Sequence, residues 1–95
     1  MMMPATGANP APVFAALGDR TRLALLTRLS DGRAQSIAAL SMDSDLTRQA
    51  VTKHLRVLEA VGLVSNIKVG RESQFALRPE PIGEMRAYLD SVSRQ

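Results

Sequence analysis

Arg48, Gln49, Thr52, Lys53 and Arg56 stand at spacings that bring them together on a helix. At 100° per residue they fall within one arc of about 140°, and no acid follows until Glu59. Their chemistry is recognition, not bond-making. Arg pairs bidentately with guanine and Gln with adenine, while Thr offers a hydroxyl and a methyl. All five lie in the N-terminal part of TRQAVTKHLRVLEAVGLV, residues 47 to 64. That is the part of a recognition helix that enters a major groove. On these residues alone a second reading stays open, an ordinary amphipathic helix with a wet basic side.

Groups for covalent or metal chemistry are sparse. There is no cysteine, so no disulfide, thiolate metal site or Cys nucleophile is available. The chain has one histidine, no Gly-rich phosphate loop and no paired carboxylates at a plausible cleft, so an enzyme is not expected. No cofactor is expected either. His54 falls on the apolar side of the helical wheel and reads as a partly buried structural residue or phosphate contact, not a metal ligand. Asp43 and Asp45 precede the helix as turn formers that favour its positive N-terminus. They also set negative charge near any bound phosphates, narrowing how the domain can dock.

The elements that must hold this face follow from caps, breakers and periodicity. Pro12 opens a short helix bearing Val13, Phe14, Ala16 and Leu17, which Gly18 ends. Asp19 caps a second helix over about 20–30, with Leu23, Leu26 and Leu29 spaced as a buried stripe. Ser36 or a neighbour starts a third over 37–42, with Ile37 and Leu40 inward. After the break at MDSD, Thr47 caps a fourth over 47–61, about 22 Å long at 1.5 Å per residue. Ala50, Val51, Val57 and Leu58 fill its inner arc, with Leu55 at the margin, and Gly62 stops it. LVSNIKV and SQFAL are strand-like around Gly70-Arg71, which makes a hairpin with a basic tip. Pro79 and Pro81 start a last helix with Ile82, Met85, Leu89 and Val92 in one stripe.

Helix, helix, helix-turn-helix, hairpin, helix is the order of a winged helix-turn-helix: mainly α, about five helices plus a two-stranded wing. Residues 1–11 are expected to be a flexible arm and 12–95 one domain, near the lower end of what folds on a single core. With only Phe14, Phe75 and Tyr88 as aromatics, that core must come from Leu, Val, Ile and Ala. Residues 48–71 hold five basic side chains against one acid, a local charge of +4, while all other residues together carry −1. The basic excess therefore sits in one quarter of the chain and points to a polyanion. No apolar run approaches the roughly 18 residues of a bilayer span, and the N-terminus has no secretory pattern. The expectation is a cytoplasmic protein with no membrane partner.

The runs FAALGDRTRLALLTRLSDG, LTRQAVTKHLRVLEAVGLV and VGRESQFAL resemble the ArsR/SmtB-type bacterial transcriptional repressors, over residues 13 to 93. The resemblance implies a homodimeric repressor on double-stranded DNA, with the fourth helix in the major groove and the wings on flanking phosphates. By position, it puts Gln49 and Thr52 on bases, Thr47, Arg48, Lys53 and Arg56 on the same DNA-facing surface, and Lys68 and Arg71 at the wing. It assigns Phe14, Leu17, Ile82, Met85, Leu89 and Val92 to the dimer contact. Packing within one subunit is the plainer alternative for that stripe, but so small a domain has little core left to receive a second full stripe, which favours dimerisation. Two departures stand out. Where the metal-sensing branch has a Cys-x-Cys-type pair this chain has IAALSM, and its last helix has Glu84 and Asp90 but no His. The last helix also ends at Arg94-Gln95, where many relatives continue for several turns, implying a shorter dimer contact or a longer parent chain. An unknown small-molecule effector, a partner protein and no inducer at all remain equal options. The other function class open to the sequence is a winged-helix interaction module with an acidic protein partner.

Overall fold

The computed structural model describes residues 9–42 and 44–94. The arm expected over residues 1–11 thus lies largely outside the described residues, as do Asp43 and Gln95. The elements run α1 (Ala11–Ala16), α2 (Arg20–Arg28), β1 (Gln35–Ser36), α3 (Ile37–Ser41), α4 (Arg48–Ala60), β2 (Val64–Val69), β3 (Glu72–Leu77) and α5 (Pro79–Ser93).

Each helix start has a local chemical cause. Asp19, Ser36 and Thr47 accept the backbone N–H groups of Arg22, Ala39 and Ala50 at 3.0, 3.0 and 3.1 Å. Each bond satisfies a donor that the first turn leaves open. The end of α4 is equally specific. Leu63 N–H reaches back to the Leu58 carbonyl and Gly62 N–H to that of Glu59, with Gly62 at φ +80. This is a Schellman stop, and Leu58 and Leu63 supply its buried apolar contact. The chain leaves α4 directly into the wing. There Gly70 (φ +64) turns the hairpin between the paired Val69 and Glu72, and Arg71 keeps a negative φ, the pattern of a type II′ turn.

The sheet has three strands, not the expected two. Its order is β1-β3-β2, all antiparallel, with Gln35 and Ser36 opposite Phe75 and Gln74. Two residues are too few to show a period-2 pattern, yet they cover part of the edge that β3 would leave unpaired. Phe75 sits between Gln35 and Asn66 in the same cross-strand row and is fully buried.

Every helix contributes to one core: Ala16 from α1, Leu25 and Leu29 around α2, Leu40 from α3, Val51, Leu55 and Leu58 from α4, and Met85 from α5. Leu63, Val64 and Phe75 complete it from the wing side. Two expected facings change. Leu23 is 48% exposed and Leu25 takes its place. On the wheel Leu25 lies about 40° from Leu29 whereas Leu23 lies about 120° away. On α4 the inner arc centres on Val51, Leu55 and Leu58, so Leu55 is fully buried and Val57 is turned partly out.

Candidate nucleic-acid interface

With its inner face committed to the core, α4 offers the opposite side to solvent. Arg48, Gln49, Lys53 and Arg56 are exposed and Thr52 is half-buried at the flank. Thr47, Arg48, Gln49, Thr52 and Lys53 line one wall of an open groove of about 860 Å³. The start of α3 forms its floor side through Ser36, Ile37 and Ala38, and Glu72 and Ser73 of β3 form the far wall. Lys68 pairs with Ser73 across the hairpin, so both side chains leave the same face of the sheet. Arg71 stands exposed at the tip.

Within this groove the side chains differ in what they have free. Among the described residues, no hydrogen bond or ion pair holds the side chains of Arg48, Gln49, Lys53, Lys68 or Arg71. Thr52 has already given its hydroxyl proton to the Arg48 carbonyl at 2.7 Å, leaving its methyl and oxygen lone pairs for a ligand. Arg56 is also engaged: Nη1 meets Glu59 at 2.7 Å, and its guanidinium lies 5.7 Å from the Phe75 ring centroid. Sequence reasoning missed the floor and far wall of the groove, Ser36, Ile37, Ala38, Glu72 and Ser73, as well as Ala50 on α4. Glu72, which accepts from Gln74 Nε2 at 2.9 Å, brings a carboxylate to the far wall, and Ser36 reaches the floor because β1 hydrogen-bonds to β3.

A family model described as a helix-turn-helix domain matches residues 17–65, half of the chain and all of α2 to α4. An uncharacterised HTH-type transcriptional regulator of Bacillus subtilis, YuzN, is 36% identical over 80 residues, covering 78% of this chain and 87% of the relative. An ArsR-like transcriptional regulator from Rhodococcus sp. RHA1 superposes with a TM-score of 0.79 at 38% identity, over 96% of this chain and 85% of its own. The chain belongs to the ArsR family. It is a transcriptional regulator with a winged helix-turn-helix DNA-binding domain. The fold extends to more distant proteins. A homodimeric winged helix-turn-helix DNA-binding domain from Mycobacterium bovis, a possible ArsR-family regulator, gives a TM-score of 0.70 at 23% identity, over 88% of this chain and 77% of its own.

In α3, Ala38, Ala39 and Leu40 carry no metal-ligating side-chain atom. Among the described residues no three His, Cys, Asp or Glu side chains gather around a point where an ion could sit. No described helix is long and apolar enough to cross a membrane. His54 is partly buried beside Asp19 and Arg22.

The stripe on α5 divides in two. Ile82 and Met85 pack on the protein's own core, and Met85 is almost wholly buried. Phe14 stacks obliquely on Tyr88, ring centroids 5.9 Å apart. Phe14, Leu17, Ile82, Met85 and Leu89 line a shallow apolar groove between α1 and α5. Leu89 at its margin and Val92 beyond it stay 53% and 50% exposed.

Proposed function

We propose that this regulator is a homodimeric repressor that reads an inverted-repeat operator. The observation that carries the reading is the groove between α4 and the wing. Unengaged Gln49 and Lys53 side chains face into it, and the cations Lys68 and Arg71 stand on the wing beside it. In this reading Gln49 and the Thr52 methyl contact base edges, while Arg48, Lys53, Lys68 and Arg71 meet phosphates. Thr47 caps the helix end that points at the duplex, where backbone N–H groups favour anions. Arg56 can join them with the donors its Nη1–Glu59 bond leaves free, its charge partly offset by that carboxylate.

Dimerisation would use α1 and α5. Tyr88, Leu89 and Val92 form an exposed apolar row continuous with Phe14 and Leu17, and a second copy related by a two-fold axis would cover it. Ile82 and Met85 would support that contact from beneath. The homodimeric Mycobacterium bovis domain of the same fold is consistent with this arrangement. A two-fold pair of reading helices meets successive major grooves about 34 Å apart, which makes the operator an inverted repeat. Occupying such a site within a promoter represses by exclusion.

Selection from a random duplex library, followed by sedimentation of the complex, tests the proposal. Recovery of a two-fold symmetric sequence bound by two chains is the expected result. Recovery of no preferred sequence, or of a site bound by a single chain, would overturn it.

A further inference from the structure

Three side chains outside the groove meet where α1, α2 and α4 converge. Arg22 Nε donates to the Ala16 carbonyl at the end of α1, and Arg22 Nη1 lies 3.3 Å from His54 Nδ1 on α4. Asp19 accepts the Arg22 backbone N–H at 3.0 Å, and its Oδ2 stands 3.8 Å from the same imidazole nitrogen. A guanidinium has five donors and no acceptor. A hydrogen bond across the 3.3 Å contact would therefore use a lone pair on Nδ1, in a ring that carries its proton on Nε2.

We propose that His54 is a positioning residue for DNA recognition. Its neutral Nδ1 accepts from Arg22 and so fixes α4 against α1, the helix that bears Phe14 of the proposed dimer face. The inference rests on reading α4 as the DNA-contacting helix. Arg22 is the bridge, holding the end of one element and the middle of the other through one rigid fork.

Protonation dismantles this arrangement. Nδ1–H would oppose the Arg22 donors, and the acceptor beside it is Asp19 Oδ2, about 1 Å beyond the usual length of a charge-assisted bond. The charged groups placed against the ring are Asp19 from the α1–α2 turn and Arg22 from α2. Residues Ala11–Ala16 of α1 carry no titratable side chain, and the α4 positions stacked on His54 (Ala50, Val51, Val57 and Leu58) carry none either. To gain Asp19 the ring must leave Arg22, and the spacing between the two reading helices of a dimer shifts with it. Sequence preference then falls, while attraction to phosphate, which needs no such spacing, persists.

His54 is the sole histidine, so ring ¹⁵N spectra of the intact protein report it without ambiguity. The Nε2–H tautomer is expected at about pH 8. Preference for the selected duplex over a scrambled one should fall about tenfold between about pH 8 and pH 5, the scale of one lost hydrogen bond. His54→Asn places an oxygen acceptor near the Nδ1 position without a titrating group, so its preference should stay level across that range. His54→Ala should have the lower preference at both pH values. An Nδ1–H tautomer, or an Asn variant that falls as steeply as the wild type, would overturn the proposal. If the Ala variant does not fold, the Asn variant and the ring spectrum still decide. A wild type with no preference at pH 8 would instead overturn the DNA-reading assignment, a separate failure.

Discussion

Gln49→Ala isolates base reading from everything else the α4 face does. The Gln49 side chain has no hydrogen-bond partner within the protein among the described residues, and it is exposed. Truncating it leaves no buried donor unsatisfied and opens no cavity, and Ala is the better helix former. Folding should change by only a few tenths of a kcal/mol. Binding should change far more. A bidentate Gln–adenine pair discriminates by about 1–3 kcal/mol, and a two-fold dimer makes the pair twice, so the preferred operator should lose about 2–6 kcal/mol. Scrambled duplex, held through phosphates alone, should lose almost nothing. Lys68→Ala is the matched control. It should weaken both duplexes alike and reduce the slope of log affinity against log salt by about 0.9 for each phosphate it no longer neutralises. Fluorescence anisotropy on both duplexes at two salt concentrations separates the two behaviours. Equal losses on operator and scrambled duplex for Gln49→Ala would refute the assignment of Gln49 to a base.

Phe75→Ala removes the one fully buried aromatic and should cost about 3–5 kcal/mol, a large share of what so small a domain has; urea denaturation measures it. Leu89→Asp puts a charge on the exposed half of the α5 stripe, so sedimentation should show a folded monomer; an unchanged dimer would locate the interface elsewhere. Glu59→Gln removes the carboxylate that offsets the Arg56 charge, and affinity for any duplex should rise with the salt slope steepening by about one unit, while an unchanged slope would leave Arg56 off the phosphates. Asp19 has its carboxyl held below the ordinary value of 3.8, chiefly by the Arg22 backbone N–H. Its contribution to stability is therefore complete above that value and is lost as pH falls through the lower folded one. Asp19→Asn should flatten this acid limb of the stability curve, which thermal melts at several acid pH values would follow.

Features that depend on neighbours in sequence were legible before the fold was known. Asp19, Ser36 and Thr47 cap as their side chains dictate, and the positive φ angles of Gly62 and Gly70 fall where a helix must stop and a hairpin must turn. Features set by tertiary geometry were not. Leu23 and Leu25 are both apolar, and only the direction from which α4 approaches α2 decides which is covered. β1 has no pattern of its own and exists because β3 has an open edge. The same division runs through the binding face. Residue types and spacing bring Arg48, Gln49, Thr52 and Lys53 to one wall. They say nothing of where Arg56 and the Thr52 hydroxyl spend their hydrogen bonds, since the near partners, Glu59 and the Arg48 carbonyl, compete with any ligand.

Ser36 is both the last residue of β1 and the cap of α3, one residue that belongs to the wing and to the helix-turn-helix together. The β1–β3 ladder thus ties the hairpin to the start of α3. The wing tip and the outer face of α4 are the two jaws of a caliper with a preset gap. In the proposed complex, a duplex that suits one jaw would suit the other only at a single rotation about its axis, so helical phase would be measured before any base is read.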